Sequence, residues 1–150
     1  MQEAAEAAEG AEIIAPPRRG DAEMELNQIT EAVIGACIEI HRALGPGLFG
    51  SAYEECLDFE LRQAGLAFRR QVPLPVVYKG VQLDCGYKMD FLIESAVVIE
   101  LKAVEKLLPI HEAQLLTYLK MSGCSVGLLI NFHAPTLKDG IRRLVNKFRA

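Results

Sequence analysis

The sequence predicts a single domain of the α/β class (α+β mixed), with a central mixed β-sheet flanked by helices. Three observations lead to this prediction. Helical periods closed by glycines fill the first third of the domain, runs of β-branched residues typical of buried strands follow, and helices and strands alternate only in the second half. A chain of 150 residues is long enough to bury one sizeable core.

Charge is distributed unevenly along the chain. Residues 1–25 carry seven acids and two arginines, a net of −5, whereas residues 26–150 carry thirteen acids and fourteen bases, a net of +1. The first segment is rich in Ala and Glu and lacks an apolar stripe, so we expect a disordered acidic tail over residues 1–25 and a folded domain over residues 26–150. The nearly neutral domain neither excludes nor favours a nucleic-acid partner.

The cysteines and the hydropathy pattern indicate a soluble, cytoplasmic protein. The four cysteines are far apart and form no Cys-x-x-Cys pair, which favours reduced core residues over a metal or iron–sulfur site. No run of about 18 apolar residues and no secretory leader is present in the sequence.

Two helices are expected to open the domain. Apolar residues recur at spacings of three and four after Asn27, the expected N-cap, and Gly45 ends this first helix. His41, in its last turn, is interpreted as a capping or packed histidine rather than a catalytic one. A second helix is predicted from Ser51, which fits a capping box with Glu54.

The rest of the chain supplies the strands and two more helices. Glycine, proline and charged turns separate apolar runs of strand and helix length. The predicted elements are strands at residues 67–72 and 74–83, a hairpin turning at residues 94–96, a helix at residues 111–122, a strand at residues 126–132 and a closing amphipathic helix at residues 137–148.

The hairpin brings charged residues onto buried strands. With a three-residue loop at residues 94–96, paired positions sum to 190, so that Asp90 faces Glu100. Lys102, two residues further, then lies on the same face. A two-residue loop would send Asp90 to the other face, so the prediction depends on the loop length.

Two opposed carboxylates suggest a metal site. At about 4 Å they repel by roughly 4 kcal/mol in a medium of effective dielectric about 20. Mg²⁺ or Mn²⁺, bound by Asp90, Glu100 and the carbonyl of Leu101, would remove that repulsion, and Lys102 could then orient or deprotonate an attacking water. The spacing supports equally well a simple ion pair between Glu100 and Lys102, with Asp90 in the adjoining loop.

The helix that follows offers polar neighbours for this site. Gln114 and Tyr118 are four residues apart and therefore lie on one face of an otherwise leucine-lined helix. They could reach metal-bound waters or a phosphate. A helix flank with a half-buried tyrosine explains the same pattern.

Taken together, these motifs resemble the PD-(D/E)XK nuclease superfamily, and within it the small GxxExxY family. The resemblance covers about residues 26–148. It rests on six stretches in order, which are Glu39–Leu48, Tyr53–Glu55, Glu100–Ala103, Gln114–Lys120, Ile130–Phe132 and Ile141–Arg143.

The resemblance implies a restriction-endonuclease-like core and a Mg²⁺-dependent nuclease site. In that pattern Asp90 and Glu100 bind the metal and Lys102 serves the water. Gln114 and Tyr118 assist.

The chain departs from the family pattern at one position. The Gly-x-x-Glu-x-x-Tyr motif that names the family has Gly50 where the glutamate belongs. In related folds a glutamate from the first helical region completes the metal shell, so this replacement should weaken or relocate the cation. Glu54, one turn further along the helix, is a candidate substitute, although the predicted capping box would occupy it.

Three functions follow as alternatives. The first is a nuclease or phosphodiesterase acting on nucleic acid, the second a catalytically weakened nuclease-fold module that binds nucleic acid or protein, and the third a homodimer or partner-bound subunit using the apolar first helix. The candidate phosphate contacts, for which a solvated surface is the alternative, are Arg69, Arg70, Lys120, Arg142 and Arg143.

Overall fold

The computed structural model describes residues 21–147. The elements are α1 (Asp21–Leu44), α2 (Gly50–Gln63), β1 (Phe68–Pro73), β2 (Val76–Tyr78), β3 (Val81–Leu83), β4 (Lys88–Ile93), β5 (Val97–Lys102), α3 (Pro109–Ser122), β6 (Val126–Asn131), a 3₁₀ turn (Leu137–Gly140) and β7 (Ile141–Val145).

The main sheet has five strands in the order β1-β4-β5-β6-β7. β5 and β6 are parallel, and α3 connects them as a crossover, whereas the other neighbouring strands are antiparallel. Among the strands within residues 21–147, β2 and β3 pair only with each other. The predicted mixed sheet flanked by helices is therefore confirmed.

Both faces of the sheet are covered, which explains why β5 and β6 are almost continuously apolar. Phe91, Ile99 and Leu128 face α1 and α2 in one core cluster. Leu92 and Val98 face α3 in the other. The site described below lies where β4 and β5 emerge from this three-layer arrangement.

The helix starts differ from the predicted ones. α1 begins at Asp21 rather than being capped by Asn27, and it therefore includes the last five residues of the predicted tail, whose first twenty lie outside the described residues. The predicted capping box is wrong, because α2 begins at Gly50 without a side-chain cap. Glu54 is instead hydrogen-bonded to Arg70.

The end of α1 agrees with the sequence-based interpretation. Gly45 has a φ of 71°, and its N–H donates to the carbonyl of His41 at 2.7 Å, as expected of a glycine that ends a helix. The Nε2 atom of His41 lies 2.9 Å from the carbonyl oxygen of Ala134, so this histidine ties α1 to the loop after β6.

The predicted closing helix at residues 137–148 is wrong. The chain forms the 3₁₀ turn and then β7, which pairs antiparallel with β6 and supplies backbone partners that β6 would otherwise lack. The turn requires Gly140, since a Cβ atom there would lie 2.5 Å from the carbonyl oxygen of Asn131. This long-range pairing overrides a helical propensity that acts only locally.

Candidate functional site

The β4–β5 hairpin has the predicted register. Phe91 pairs with Ile99 and Ile93 with Val97, so that paired positions sum to 190. Glu94 and Ser95 both have a φ of 54°, and the N–H of Ala96 donates to the carbonyl of Ile93 at 2.9 Å, which closes the turn. The predicted three-residue loop and its register are confirmed.

Beyond the pair Phe91–Ile99 the two strands separate, and side-chain carboxylates replace backbone carbonyls as hydrogen-bond acceptors. The N–H of Asp90 donates to the Glu100 carboxylate at 2.8 Å, and the N–H of Leu101 donates to the Asp90 carboxylate at 2.9 Å. Each carboxylate therefore accepts a hydrogen bond from the opposite strand, where a continued ladder would have used a carbonyl. This arrangement, called here the carboxylate pair, consists of Asp90 and Glu100.

A distortion of the neighbouring strand accompanies this separation. Gln71 of β1 lies opposite Asp90 in the register and has a φ of 51°, in the left-handed region that non-glycine residues seldom adopt. On β4, Met89 faces α3 whereas Phe91 faces α1 and α2. Residues two apart normally share a face, so the alternation of the strand breaks at Asp90.

Burial and mutual repulsion both oppose charge on the carboxylate pair. Glu100 is only 5% exposed, and burial, followed by the nearby charge of Asp90, raises its pKa to about 8. Burial also raises the pKa of Asp90, against the opposing effect of the hydrogen bond from Leu101. The pair therefore favours a bound proton, or another cation, near neutral pH.

The backbone polar groups of Leu101 and Lys102 point to opposite neighbours of β5. The carbonyl of Lys102 accepts from the N–H of Phe132 at 2.9 Å on the β6 side. The N–H of Leu101 faces the Asp90 side, and because the N–H and C=O of one strand residue point the same way, its carbonyl does too. Lys102 takes part in none of the ion pairs within residues 21–147, so the alternative of a direct Glu100–Lys102 ion pair is not observed.

Gln114 and Tyr118 contact each other on α3. The side-chain amide of Gln114 donates to the Tyr118 hydroxyl at 2.9 Å. Burial, followed by the nearby charge of Glu100, raises the pKa of Tyr118. The Tyr118 hydroxyl therefore stays protonated and, because Gln114 already donates to it, keeps its own proton for another acceptor.

Sequence reasoning missed the role of Gln71. Its amide nitrogen lies 3.0 Å from Glu54 Oε1 and 3.3 Å from Asp90 Oδ1, so it bridges α2 and the carboxylate pair. The charge of Glu54 also helps to raise the pKa of both Asp90 and Glu100. The only signal in the sequence was Glu54 itself, since nothing local predicts a left-handed glutamine.

The predicted phosphate contacts do not form one surface. Arg70 is bound by Glu54, Glu55 and Asp58 of α2, and its guanidinium lies 5.8 Å from the centroid of the Phe91 ring. Arg69, half-buried, belongs to the same strand, and Lys120 is exposed on α3.

Arg142 and Arg143 lie on β7, at the other edge of the sheet from β1. Arg143 donates to Thr30 and Asn27 of α1, each at 3.1 Å. Arg142 donates to the carbonyls of Asp139 and Ile141. Both residues were expected on a helical face, and the structure places them on an edge strand instead.

Gly50 is exposed at the first position of α2, and a Cβ atom there would meet no atom of the described residues within 4 Å. The acid of α2 that reaches toward the carboxylate pair is Glu54, through Gln71. The position at which the family motif has a glutamate is thus surrounded by open space.

The donor atoms suit a cation that keeps much of its water shell. Among the described residues no group of three or more His, Cys, Asp or Glu side chains could hold a metal ion. Two carboxylates and one carbonyl remain, which is the kind of set that Mg²⁺ accepts when waters and a substrate phosphate complete its shell.

Comparisons with known proteins agree with this geometry. A family model described as the PD-(D/E)XK nuclease superfamily matches residues 27–144, well over half of the chain. No curated protein matches the sequence. Within the part of the chain that the structure describes, no helix is both long and apolar enough to span a membrane.

Proposed function

This chain belongs to the PD-(D/E)XK nuclease superfamily, and we propose that it is a metal-dependent nuclease that hydrolyses phosphodiester bonds of nucleic acid. The observation that carries the proposal is the carboxylate pair, in which Asp90 and Glu100 are held together at separating strand ends. Burial strengthens their repulsion, so a divalent cation would bind where two charges are already held close.

The proposed metal ligands are the carboxylates of Asp90 and Glu100 and the carbonyl of Leu101. Mg²⁺ or Mn²⁺ bound there would supply Lewis-acid stabilisation of the charge that develops on the phosphoryl oxygens. Binding requires both carboxylates to lose their protons, so uptake of the cation releases protons below about pH 8.

The remaining residues of the site act on the water and the phosphate. Lys102 extends from the strand of Glu100, and we assign it the role of orienting the attacking water with its ammonium group. Tyr118 donates a hydrogen bond from its hydroxyl to a phosphate oxygen, while Gln114 fixes the orientation of that hydroxyl. Hydrogen-bond donors fixed in advance toward a charge that grows during the reaction lower its barrier.

Two finer assignments belong to the same proposal. The six motif stretches, from Glu39–Leu48 to Ile141–Arg143, support membership of the GxxExxY family despite Gly50. The four unpaired cysteines, of which Cys37 and Cys124 are buried and Cys85 is exposed, support a reducing, cytoplasmic compartment.

Calorimetric titration with Mg²⁺ and Mn²⁺ tests the proposal, in buffers of different ionisation enthalpy so that proton release is measured. The parent should bind and release protons near neutral pH, and Asp90→Asn should bind at least about tenfold more weakly because one charged ligand is gone. Gly50→Glu is the matched comparison and should leave the affinity unchanged, since position 50 faces open space.

Cleavage of single- and double-stranded oligonucleotides completes the test. Metal-dependent cleavage by the parent and none by Asp90→Asn is the expected result. A parent that binds no metal, with binding restored by Gly50→Glu, would instead identify a nuclease-fold module that has lost its catalytic function.

A further inference from the structure

An apolar hairpin arm, defined as residues 74–87, connects β1 to β4, the strand that carries Asp90. In the described part of the chain its strands β2 and β3 pair only with each other, and five of their six residues are apolar. Val77, Tyr78 and Val81 are 66%, 61% and 56% exposed. An isolated two-stranded hairpin is marginally stable, and exposed apolar surface of this kind marks an interaction site.

The arm presents one continuous apolar face. Val76 pairs with Leu83 and Tyr78 with Val81, and directly paired residues share a face. The connection between Tyr78 and Val81 is a two-residue turn in which Lys79 and Gly80 have φ values of 51° and 78°. Such a turn matches the twist of the strands and holds the face in a fixed shape.

The base of the arm leads directly to the site. The N–H of Leu74 donates to the carbonyl of Tyr87 at 2.8 Å, which extends the pairing of β1 with β4 outward. The Tyr87 ring contacts Tyr118 edge-on at 6.3 Å between centroids. Tyr87 is three residues before Asp90, roughly 10 Å along an extended chain.

The tip of the arm combines a positive charge with an aromatic ring. Lys79 stands at the tip with its Nζ 5.5 Å from the centroid of the Tyr78 ring. The arm also carries one acid, Asp84, which accepts a hydrogen bond from the N–H of Gly86 at 3.1 Å in the turn that follows β3. An aromatic ring beside an ammonium group can stack on a base and contact the adjoining phosphate.

We propose that this arm binds a nucleic-acid strand with unpaired bases, and that the substrate class of the site is nucleic acid containing a single-stranded segment. Base faces are the apolar surfaces of nucleic acid, and pairing and stacking hide them in a duplex. The idea that the bound strand continues from the arm to the carboxylate pair rests on the proposed function, whereas strand binding by the arm does not.

Fluorescence anisotropy with a labelled single-stranded DNA oligonucleotide and its blunt duplex, in EDTA, tests the proposal. The parent should bind the single strand about tenfold more tightly than the duplex. The double variant Tyr78→Ala with Val81→Ser should bind the single strand at least about fivefold more weakly than the parent. The matched control is Phe59→Ala, which removes an aromatic ring of similar exposure (59%) from α2 and should bind like the parent.

Three results would overturn the proposal. They are equal affinity of the parent for single strand and duplex, an unchanged affinity of the double variant, and a concentration-dependent dimer in light scattering that the double variant abolishes. The last result would show that a second copy of the chain covers the arm, by pairing of its open edges.

The Glu100→Gln variant separates this proposal from the proposed function. It should keep single-strand binding in EDTA while it loses metal binding. If the parent binds no metal and cleaves nothing, but the double variant still weakens strand binding, the function fails and the arm assignment stands. If the double variant binds and cleaves single strands like the parent, the arm assignment fails and the function stands.

Discussion

Glu100→Gln should make the metal-free protein more stable near pH 8. The folded state raises the pKa of Glu100 from 4.5 to about 8, so between these values the folded chain binds a proton that the unfolded chain does not. The free energy of unfolding therefore falls as pH rises through this window. Asp90, whose pKa is raised by the same burial, acts in the same direction.

The magnitude follows from the size of the shift. At 1.36 kcal/mol per pK unit the upper limit is about 5 kcal/mol. Relaxation and water entry around a buried charge reduce that limit, and we expect a loss of about 2 to 3 kcal/mol in the parent between about pH 5 and about pH 8. The glutamine keeps an oxygen that accepts from the Asp90 N–H, but it does not ionise. The variant should therefore lose most of this pH dependence.

Urea unfolding followed by circular dichroism, with EDTA present, measures the effect. Glu39→Gln, on the exposed side of α1, is the matched control and should retain the parent's pH dependence. A parent whose stability is flat over this range, or a Glu100→Gln variant less stable than the parent near pH 8, would refute the reasoning. Saturating Mn²⁺ should reverse the order, since only the parent gains from binding.

Three further predictions concern neighbouring features. Gln71→Ala removes a hydrogen bond that lowers the pKa of Asp90, so carboxyl-carbon NMR should show that pKa rising further, and an unchanged titration would contradict the bridge. Lys102→Met removes a positive charge that lowers the pKa of Asp90 and Glu100, so both pKa values should rise in the same NMR experiment and cleavage should be lost. A variant that cleaves like the parent would exclude Lys102 from the reaction. Gly140→Ala should lower the free energy of unfolding by about 1 to 3 kcal/mol, because its Cβ atom meets the Asn131 carbonyl. Gly35→Ala, with open space in α1, should raise it by about 0.5 to 1 kcal/mol. Equal effects in urea unfolding would be inconsistent with the close contact at Gly140.

The sequence was sufficient to predict the register that joins Asp90 to Glu100. That register depends on local information, namely the turn at Glu94 and Ser95 and the β-branched residues on either side. The prediction that Gln114 and Tyr118 lie on one helix face was equally local, because the helical repeat alone brings these side chains together.

Features that depend on distant residues were not predictable in the same way. β7 forms because β6 needs a partner, and Gly140 is required by the backbone of Asn131, nine residues earlier in the sequence. Gln71 reaches both Glu54 and Asp90 only after α2, β1 and β4 have assembled. The same assembly places Arg70 among three acids of α2, which removes it from the set of free phosphate contacts.

At the end of the β4–β5 hairpin, carboxylates replace backbone carbonyls as hydrogen-bond acceptors. Two backbone amides therefore report on the state of the carboxylate pair. The amide protons of Asp90 and Leu101 are held by Glu100 and Asp90, so their chemical shifts and their exchange with solvent should follow the ionisation of those carboxylates. A ligand that draws the carboxylates toward itself must loosen the same two bonds. Occupancy of the site and closure of the strand ends are therefore coupled, and the state of the site can be read from two backbone signals without any substrate.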